Sequence, residues 1–123
     1  MLTVPGFLLR RLYVKGSLRN TESGAQFQLL NKLGSGYAQE LVPLSVDGQD
    51  ISMQLCTFAV DGTQFPFDAV SNDTPFTLDL NKATTITMKG VVLSDEPHKI
   101  GMGFRVPGLG MLQFDFQDVP SNE

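Results

Sequence analysis

The stretch that decides the fold is SVDGQDISMQLCTFAVDGTQF, Ser45 to Phe65, in which an Asp-Gly pair twice follows a valine. Asp47-Gly48 and Asp61-Gly62 each lie between runs of residues that favour strands. A two-residue type I′ hairpin turn needs positive φ at both central positions, which Asp tolerates and Gly adopts without steric cost. Both pairs are therefore predicted to be the tips of β-hairpins.

The alternative is that the two carboxylates bind a common ion or form a catalytic pair. An EF-hand loop repeats its ligands at alternate positions and ends in a bidentate Glu, and DGQDISMQ does not follow that pattern. In a straight strand, the segment Gln49–Val60 would hold the tips roughly 40 Å apart, at about 3.3 Å per residue. The apolar parity changes inside this segment, which predicts a bulge or corner near Cys56 or Thr57. We expect two structural turns and no shared site.

Alternating polarity recurs along most of the chain and predicts about eight short strands. Pro66 removes a ladder donor, so FPFDAV is predicted to be an edge strand. Only PGFLLRRLY has helical character, for a turn or two. We predict an all-β fold, a single antiparallel β-sandwich over residues 1–123, with residues 1–10 as an apolar N-terminal extension. The alternating segments are Leu12–Leu18, AQFQLLNKL, ATTITMKGVV, IGMGFRV and LQFDFQDV.

Composition limits the partners and the compartment. With nine basic and thirteen acidic residues the net charge is −4, which disfavours nucleic acid as a partner. Pro5-Gly6 interrupts the apolar opening, which is far shorter than the roughly 20 residues of a membrane-spanning helix, and no cleavage site follows it. The single cysteine, Cys56, is predicted to be a small buried thiol, and one cysteine allows no disulfide within the chain. We expect a soluble, cytoplasmic protein that binds neither membrane nor nucleic acid.

The only histidine, His98, is the first candidate for chemistry. With Asp95 and Glu96 it is a weak candidate for a ligand or metal site, but zinc takes three or four His, Cys or carboxylate ligands. A loop histidine bonded to the backbone is the simpler interpretation. The chain has no G-x-S-x-G motif, which would indicate a serine nucleophile. The LGSGY connection lacks the spacing of a phosphate-binding loop. Asp115 and Asp118 should point to different faces, so they are poor candidates for a paired acid and base. The sequence predicts no catalytic residue, no metal and no cofactor.

Several segments resemble a family of small prokaryotic β-sandwich proteins. They are GSLRNTESGAQFQLLNKL, LSVDGQDI, FAVDG, TTITMKG and LSDEPHKIGMGF. Their order is similar to that in the small β subunit of C-glycoside deglycosidases, where a VDG hairpin precedes a segment of the form L-x-x-G-x-H-x-I. Here Glu96 stands in place of that glycine. Proteins with an N-terminal segment similar to PGFLLRRLYVKGSLRN are often labelled hydroxymethylglutaryl-CoA reductase in genome annotation.

The resemblance implies an accessory role, in which a larger partner subunit holds the metal and performs the catalysis. It does not imply reductase activity, because no glycine fingerprint of a dinucleotide site follows a strand in this chain. No catalytic residue is carried over.

Three functions remain open. The first is a non-catalytic β-sandwich that forms a homo-oligomer or serves as an accessory subunit of a larger assembly. The second is a binding module for a carbohydrate or another small ligand, although the chain has no Trp and only two Tyr to form an aromatic platform. The third is a stand-alone enzyme of lyase or isomerase type that uses His98. The residues predicted to contact a partner are Phe7, Leu8, Leu9, Arg10 and Arg11.

Overall fold

The structure is a computed structural model that describes residues 4–122 of the chain. It begins with a short helix, α1 (Gly6–Leu9), which continues as a 3₁₀ turn at Arg10–Leu12, and two more 3₁₀ turns lie at Met53–Leu55 and Phe67–Ala69. In this part of the chain no helix is long and apolar enough to cross a membrane. The strands are β1 (Arg19–Asn20), β2 (Gly24–Leu30), β3 (Gly36–Ala38), β4 (Glu40–Leu41), β5 (Ser45–Val46), β6 (Gln49–Asp50), β7 (Cys56–Val60), β8 (Thr63–Pro66), β9 (Phe76–Leu78), β10 (Ala83–Lys89), β11 (His98–Val106), β12 (Gly110–Asp118) and β13 (Ser121–Asn122).

The strands form two main sheets and one small one. The first sheet has the order β13-β1-β2-β10-β7-β8, and the second has the order β12-β11-β5-β6 with β4 also paired to β11. Strands β3 and β9 form a separate pair. All pairs are antiparallel except β1 and β13, which run parallel.

The all-β prediction is confirmed, although the strand number differs. The described residues form thirteen strands, and five of these have only two residues. Two residues are too few to leave an alternating pattern in the sequence, so the estimate of about eight strands was too low. It also included Leu12–Leu18, where the structure has no strand.

Both Asp-Gly pairs form the predicted hairpin turns. The φ angles are 52° at Asp47 and 88° at Gly48, and 52° at Asp61 and 82° at Gly62, as a type I′ turn requires. The first pair joins β5 to β6 and the second joins β7 to β8. The tips therefore lie on different sheets, and the prediction of two separate turns is confirmed.

The chain turns a corner between these hairpins. A 3₁₀ turn at Met53–Leu55 ends directly before Cys56, where β7 begins. The predicted corner is thus confirmed, but ISMQL is not the start of a long strand. Cys56 is fully buried, as predicted. Loss of hydration raises the pKa of its thiol to about 11, which leaves the sulfur un-ionised and unreactive at neutral pH.

The strand predicted over Leu12–Leu18 is wrong. The 3₁₀ turn continues to Leu12, and Tyr13 makes only a single bridge, to Leu29. Leu12 and Leu18 are both buried, but Leu12 enters the core from the 3₁₀ turn and Leu18 from the irregular segment directly before β1. Their shared parity therefore does not reflect a strand. The helical turns predicted in PGFLLRRLY are confirmed.

Aromatic side chains join the sheets into one core. Phe27 of β2 meets Phe116 of β12 edge to face, with ring centroids 5.1 Å apart. Phe76 of β9 lies 4.8 Å from Phe58 of β7 and 6.3 Å from Phe104 of β11, again between ring centroids. These contacts connect the two main sheets and the small one, and the buried apolar residues form a single cluster.

The prediction of an edge strand at FPFDAV is confirmed only in part. Pro66 ends β8, which lies at the edge of the first sheet, but Phe67–Ala69 form a 3₁₀ turn and not a strand. The predicted faces of the last strand are confirmed. In β12, Leu112, Phe114 and Phe116 are buried and the residues between them face outward. The outer face of β12 is therefore polar.

Candidate functional site

The N-terminal helix packs against β12. The carbonyl of Pro5 accepts hydrogen bonds from the N–H groups of Leu8 and Leu9, at 3.0 and 3.1 Å. Leu9 and Leu12 are buried in the core and hold the segment in place. Phe7 is 64% exposed on the same short helix, so an anchored backbone presents an aromatic ring to solvent.

Arg10 ties this segment to the edge of the second sheet. Its Nε donates to the backbone carbonyl of Asp115 at 2.6 Å, and its Nη2 lies 3.3 Å from Asp115 Oδ1. Strand β12 is an edge strand of that sheet. A covered edge strand cannot pair with the strand of another chain, so α1 and Arg10 protect this edge.

The structure places the predicted partner-contact residues in three environments. Phe7, Arg10 and Arg11 are exposed, Leu8 is half-buried, and Leu9 is buried in the core of its own chain. We call Phe7, Arg10 and Arg11 the N-terminal surface. It combines an aromatic ring with two guanidinium groups, and both residue types are enriched at protein interfaces. Leu9 positions this surface and does not contribute to it.

A groove of about 590 Å³ lies on the outer face of the second sheet, with Asp115 on one side. Gly101 and Gly103 are among the residues that line it. A Cβ on Gly101 would collide with the Ser45 hydroxyl, and one on Gly103 would lie 2.8 Å from Val42 Cγ2. The side chains of Ser45 and Val42 thus occupy the space that a Cβ at these positions would need. Packing therefore explains the two glycines of IGMGF.

His98, the first residue of β11, joins two loops. Its Nδ1 lies 2.7 Å from Asp47 Oδ2, and its Nε2 lies 3.1 Å from both the hydroxyl and the carbonyl oxygen of Ser94. The N–H of Lys99 donates to the other Asp47 oxygen at 2.9 Å. The side chain of His98 is 12% exposed and that of Asp47 is 51% exposed. The predicted hydrogen bond between His98 and the backbone is present, at the Ser94 carbonyl. The bond to the Asp47 carboxylate was not predicted from the sequence.

The three side chains have the connectivity of a Ser-His-Asp arrangement, but their electrostatics favour a charged ring. The hydrogen bond to Asp47 raises the pKa of His98, although partial burial opposes it. The Lys99 N–H, and then His98, lower the pKa of the Asp47 carboxyl. In its protonated form the ring donates one N–H to Asp47 and the other to the Ser94 carbonyl, and in that form it has no lone pair to accept a serine proton. The cluster is best described as a clamp between the β5–β6 hairpin and the loop before β11.

Asp95 and Glu96 do not join His98 in a ligand set. Asp95 Oδ1 lies 3.4 Å from Asn122 Nδ2, and Glu96 affects His98 only through its charge, which raises the pKa of the imidazole. Among residues 4–122, no three His, Cys, Asp or Glu side chains are grouped so that they could hold a metal ion.

A second polar cluster surrounds Tyr13. Its hydroxyl donates to Asp118 Oδ2 at 2.7 Å and accepts from the Leu18 N–H at 3.1 Å, and the Gly16 N–H donates to the same carboxylate oxygen at 2.9 Å. The ring stacks on Phe116 with centroids 3.6 Å apart. Burial, and then the bond to Asp118, raise the pKa of Tyr13 to about 12. The phenol therefore stays protonated and fastens the turn after α1 to β12.

An apolar cavity of about 250 Å³ opens beside the N-terminal helix. Its walls come from that helix, the β3–β9 pair and the ends of β11 and β12. The lining residues are Val4, Leu9, Leu12, Asn31, Leu33, Gly34, Ser35, Gly36, Tyr37, Ala38, Phe76, Leu78, Phe104, Val106, Leu109 and Leu112.

Sequence reasoning missed this cavity and the Asp47–His98 pair. The LGSGY segment, residues 33–37, is predicted from the sequence only as a connection. An uncharged glycine-rich run between Leu33 and Tyr37 is nevertheless a usable signal for a binding loop. Asp47 and His98 are far apart in the sequence, and they meet because β5 pairs with β11. The order of strands in a sheet leaves no local trace.

Comparison with known proteins gives one result that covers nearly the whole sandwich. The family described as hydroxymethylglutaryl-CoA reductase, N-terminal domain, matches residues 8–121, from α1 to β13. No curated protein matches the chain.

Proposed function

The chain belongs to the hydroxymethylglutaryl-CoA reductase N-terminal domain family, and from that premise we propose that it is a non-catalytic β-sandwich subunit that assembles with itself or with a larger partner protein. The observation that carries the proposal is the N-terminal surface. Phe7 is 64% exposed there, on a helix that is fixed from below.

Two anchors support this assignment. Leu9 lies in the core, and the Arg10 side chain donates to both the backbone carbonyl and the carboxylate of Asp115. Ordering a mobile segment at an interface costs free energy, and a segment that is already ordered avoids that cost. Phe7 is thus presented as a preorganised anchor, and exposed aromatic residues next to arginine are typical of interface hot spots.

The charge distribution supports an acidic partner surface. The chain has four basic residues and no acidic residue before Glu22, whereas its net charge is −4. On the N-terminal surface Arg10 is already paired with Asp115, so the positive charge that it offers to a partner is that of Arg11. Such a surface would attract either an acidic patch on another copy of this chain or an acidic face on a partner.

The roles of the ionisable side chains support a non-catalytic assignment. His98 is engaged in the clamp, the Tyr13 phenol fastens a turn, and the Cys56 thiol is fully buried. Catalytic acids, bases and nucleophiles instead lie in clefts where a substrate can reach them. His98 and Tyr13 are thus bonded within the fold, and Cys56 is shielded from solvent.

Sedimentation velocity at micromolar concentration tests the self-association arm. We compare the wild type with Phe7→Asp, and with the matched control Val92→Asp, which places the same charge on a loop valine that is 81% exposed. Wild type and Val92→Asp should sediment as one discrete oligomer, and Phe7→Asp as a monomer with unchanged circular dichroism.

Purification from the native host tests the heteromeric arm. A stoichiometric protein that co-purifies with wild type and Val92→Asp, and is lost from Phe7→Asp, supports a partner subunit. A wild type that is monomeric in sedimentation and that co-purifies with no stoichiometric protein would refute the proposal.

A further inference from the structure

We infer that the apolar cavity beside the N-terminal helix is a binding site for a small uncharged hydrophobic molecule, of the size of one or two fused aromatic rings. The cavity has a volume of about 250 Å³. This inference goes beyond the proposed subunit function and does not depend on it.

The chemistry of the walls limits the ligand to neutral compounds. Among the described residues, no carboxylate, amine, guanidinium or imidazole lines the cavity, although the chain has nine basic and thirteen acidic residues. A charged ligand would lose its hydration there without finding a counter-charge. A carbohydrate is excluded for the same reason, because its many hydroxyl groups would meet mostly hydrocarbon.

The buried polar residue at the base of the cavity is already satisfied. Asn31 is 2% exposed, and its amide donates to the carbonyls of Gly34 and Leu78 at 2.7 and 2.8 Å. Its Oδ1 accepts from the N–H groups of Leu33 and Gly34, at 3.0 and 3.3 Å. Asn31 therefore holds the rim loop in shape and offers nothing further to a ligand.

Two hydroxyl groups on the rim, those of Ser35 and Tyr37, are able to donate. The Ser35 hydroxyl accepts a hydrogen bond from the Leu80 N–H at 3.0 Å, which leaves its own proton for another acceptor. Leu33 and Tyr37 flank it and are 43% and 49% exposed. The mouth thus presents two hydroxyl groups beside the apolar side chain of Leu33, and it suits a flat ligand with an acceptor oxygen at its outer end.

The volume sets the size of the ligand. Native interiors are close-packed, and voids larger than a water molecule are few. An apolar cavity of roughly 150 Å³ accommodates benzene, so about 250 Å³ is suited to a bicyclic ring and is too small for most drug-sized molecules.

The test uses 2-naphthol as the neutral probe, with naphthalene-2-sulfonate as its charged analogue and glucose as a polar control. Methyl-resolved NMR follows the leucine and valine methyl groups of the cavity during titration. We expect saturable shifts of these methyl signals with 2-naphthol, and at least about tenfold weaker binding of the sulfonate and of glucose.

Two variants fill the site in different ways. Leu109→Trp enlarges a half-buried side chain at the rim, and Gly36→Leu adds a side chain where a Cβ would meet no atom within 4 Å, so the fold should tolerate it. Leu55→Trp is the matched control, because Leu55 is 41% exposed and lies outside the cavity. We expect at least one filling variant to weaken 2-naphthol binding about tenfold or more, with native spectral dispersion, and the control to bind as the wild type.

Ser35→Ala tests the orientation of the ligand. It should reduce the preference for 2-naphthol over naphthalene, because the alkyl side chain cannot donate to the naphthol oxygen. The inference is refuted if 2-naphthol causes no cavity shifts, if the sulfonate binds equally well, or if both filling variants bind as the wild type. None of these results bears on Phe7 or on assembly.

Discussion

The β5–β6 and β7–β8 hairpins turn on the same dipeptide, with φ angles of 52° and 88° in the first and 52° and 82° in the second. Their tips nevertheless have different surroundings. Asp47 is bonded to His98 and to the Lys99 N–H, whereas Asp61 pairs with exposed Lys82, 2.6 Å away. Local sequence therefore sets the turn, and the strand order sets what the turn contacts.

The largest effect is expected from the element that the hairpins share. Gly48→Ala and Gly62→Ala should each destabilise the fold by about 1–2 kcal/mol, because a Cβ is disfavoured at positive φ. A Cβ at either glycine would meet no atom within 4 Å, so backbone strain is the only cost. Urea unfolding of both variants measures the loss of unfolding free energy.

Equal costs at the two glycines would confirm that the turns are equivalent. If the losses of unfolding free energy in Gly48→Ala and Gly62→Ala differ by more than about 1 kcal/mol, the surroundings of the tip affect the turn itself. Local sequence alone would then not determine the turn.

The second prediction concerns the aspartates, where the hairpins should differ. Asp47→Asn should lower the melting temperature clearly more than Asp61→Asn, since asparagine tolerates the same turn but places an N–H₂ group opposite the donating Nδ1 of His98. Differential scanning calorimetry measures both. A double-mutant cycle with His98→Gln then isolates the pair, and additive effects of the two substitutions would show that the clamp contributes nothing.

The third prediction is a pH dependence that belongs to one hairpin alone. The bond to Asp47 raises the pKa of His98 in the folded state. The resulting stabilisation is fully present below the unfolded value of about 6.5 and is lost as the pH rises through the higher folded value. The free energy of unfolding of the wild type should thus exceed that of His98→Gln at pH 5–6, and the gap should close at alkaline pH.

NMR gives a direct measurement of this shift, because His98 is the only histidine in the chain. Its ring protons should titrate above the ordinary value in the wild type and in Asp61→Asn, and closer to it in Asp47→Asn. An unchanged pKa in Asp47→Asn would contradict the assignment of Asp47 as the main cause.

The same comparison explains how far sequence reasoning reaches. The turns at Asp47-Gly48 and Asp61-Gly62, the corner before Cys56 and the faces of β12 depend on nearest neighbours, and all were predictable. The Leu12–Leu18 strand was mispredicted because tertiary packing of α1 on β12 determines that segment. The Asp47–His98 pair and the cavity depend on which strands are neighbours, and an alternating pattern carries no such information.

The smallest effect is expected at the second hairpin tip. Lys82 and Asp61 have side chains that are 47% and 69% exposed, so water and salt screen their attraction. Lys82→Met should destabilise the protein slightly at low ionic strength and not at all in about 1 M NaCl, where the Debye length is roughly 3 Å. His98→Gln should keep most of its effect in the same salt at pH 5–6, because the His98 side chain is only 12% exposed. Chemical unfolding in urea, which adds no ions, measures both variants at each salt concentration, and equal salt sensitivity would mean that the two tips are electrostatically alike.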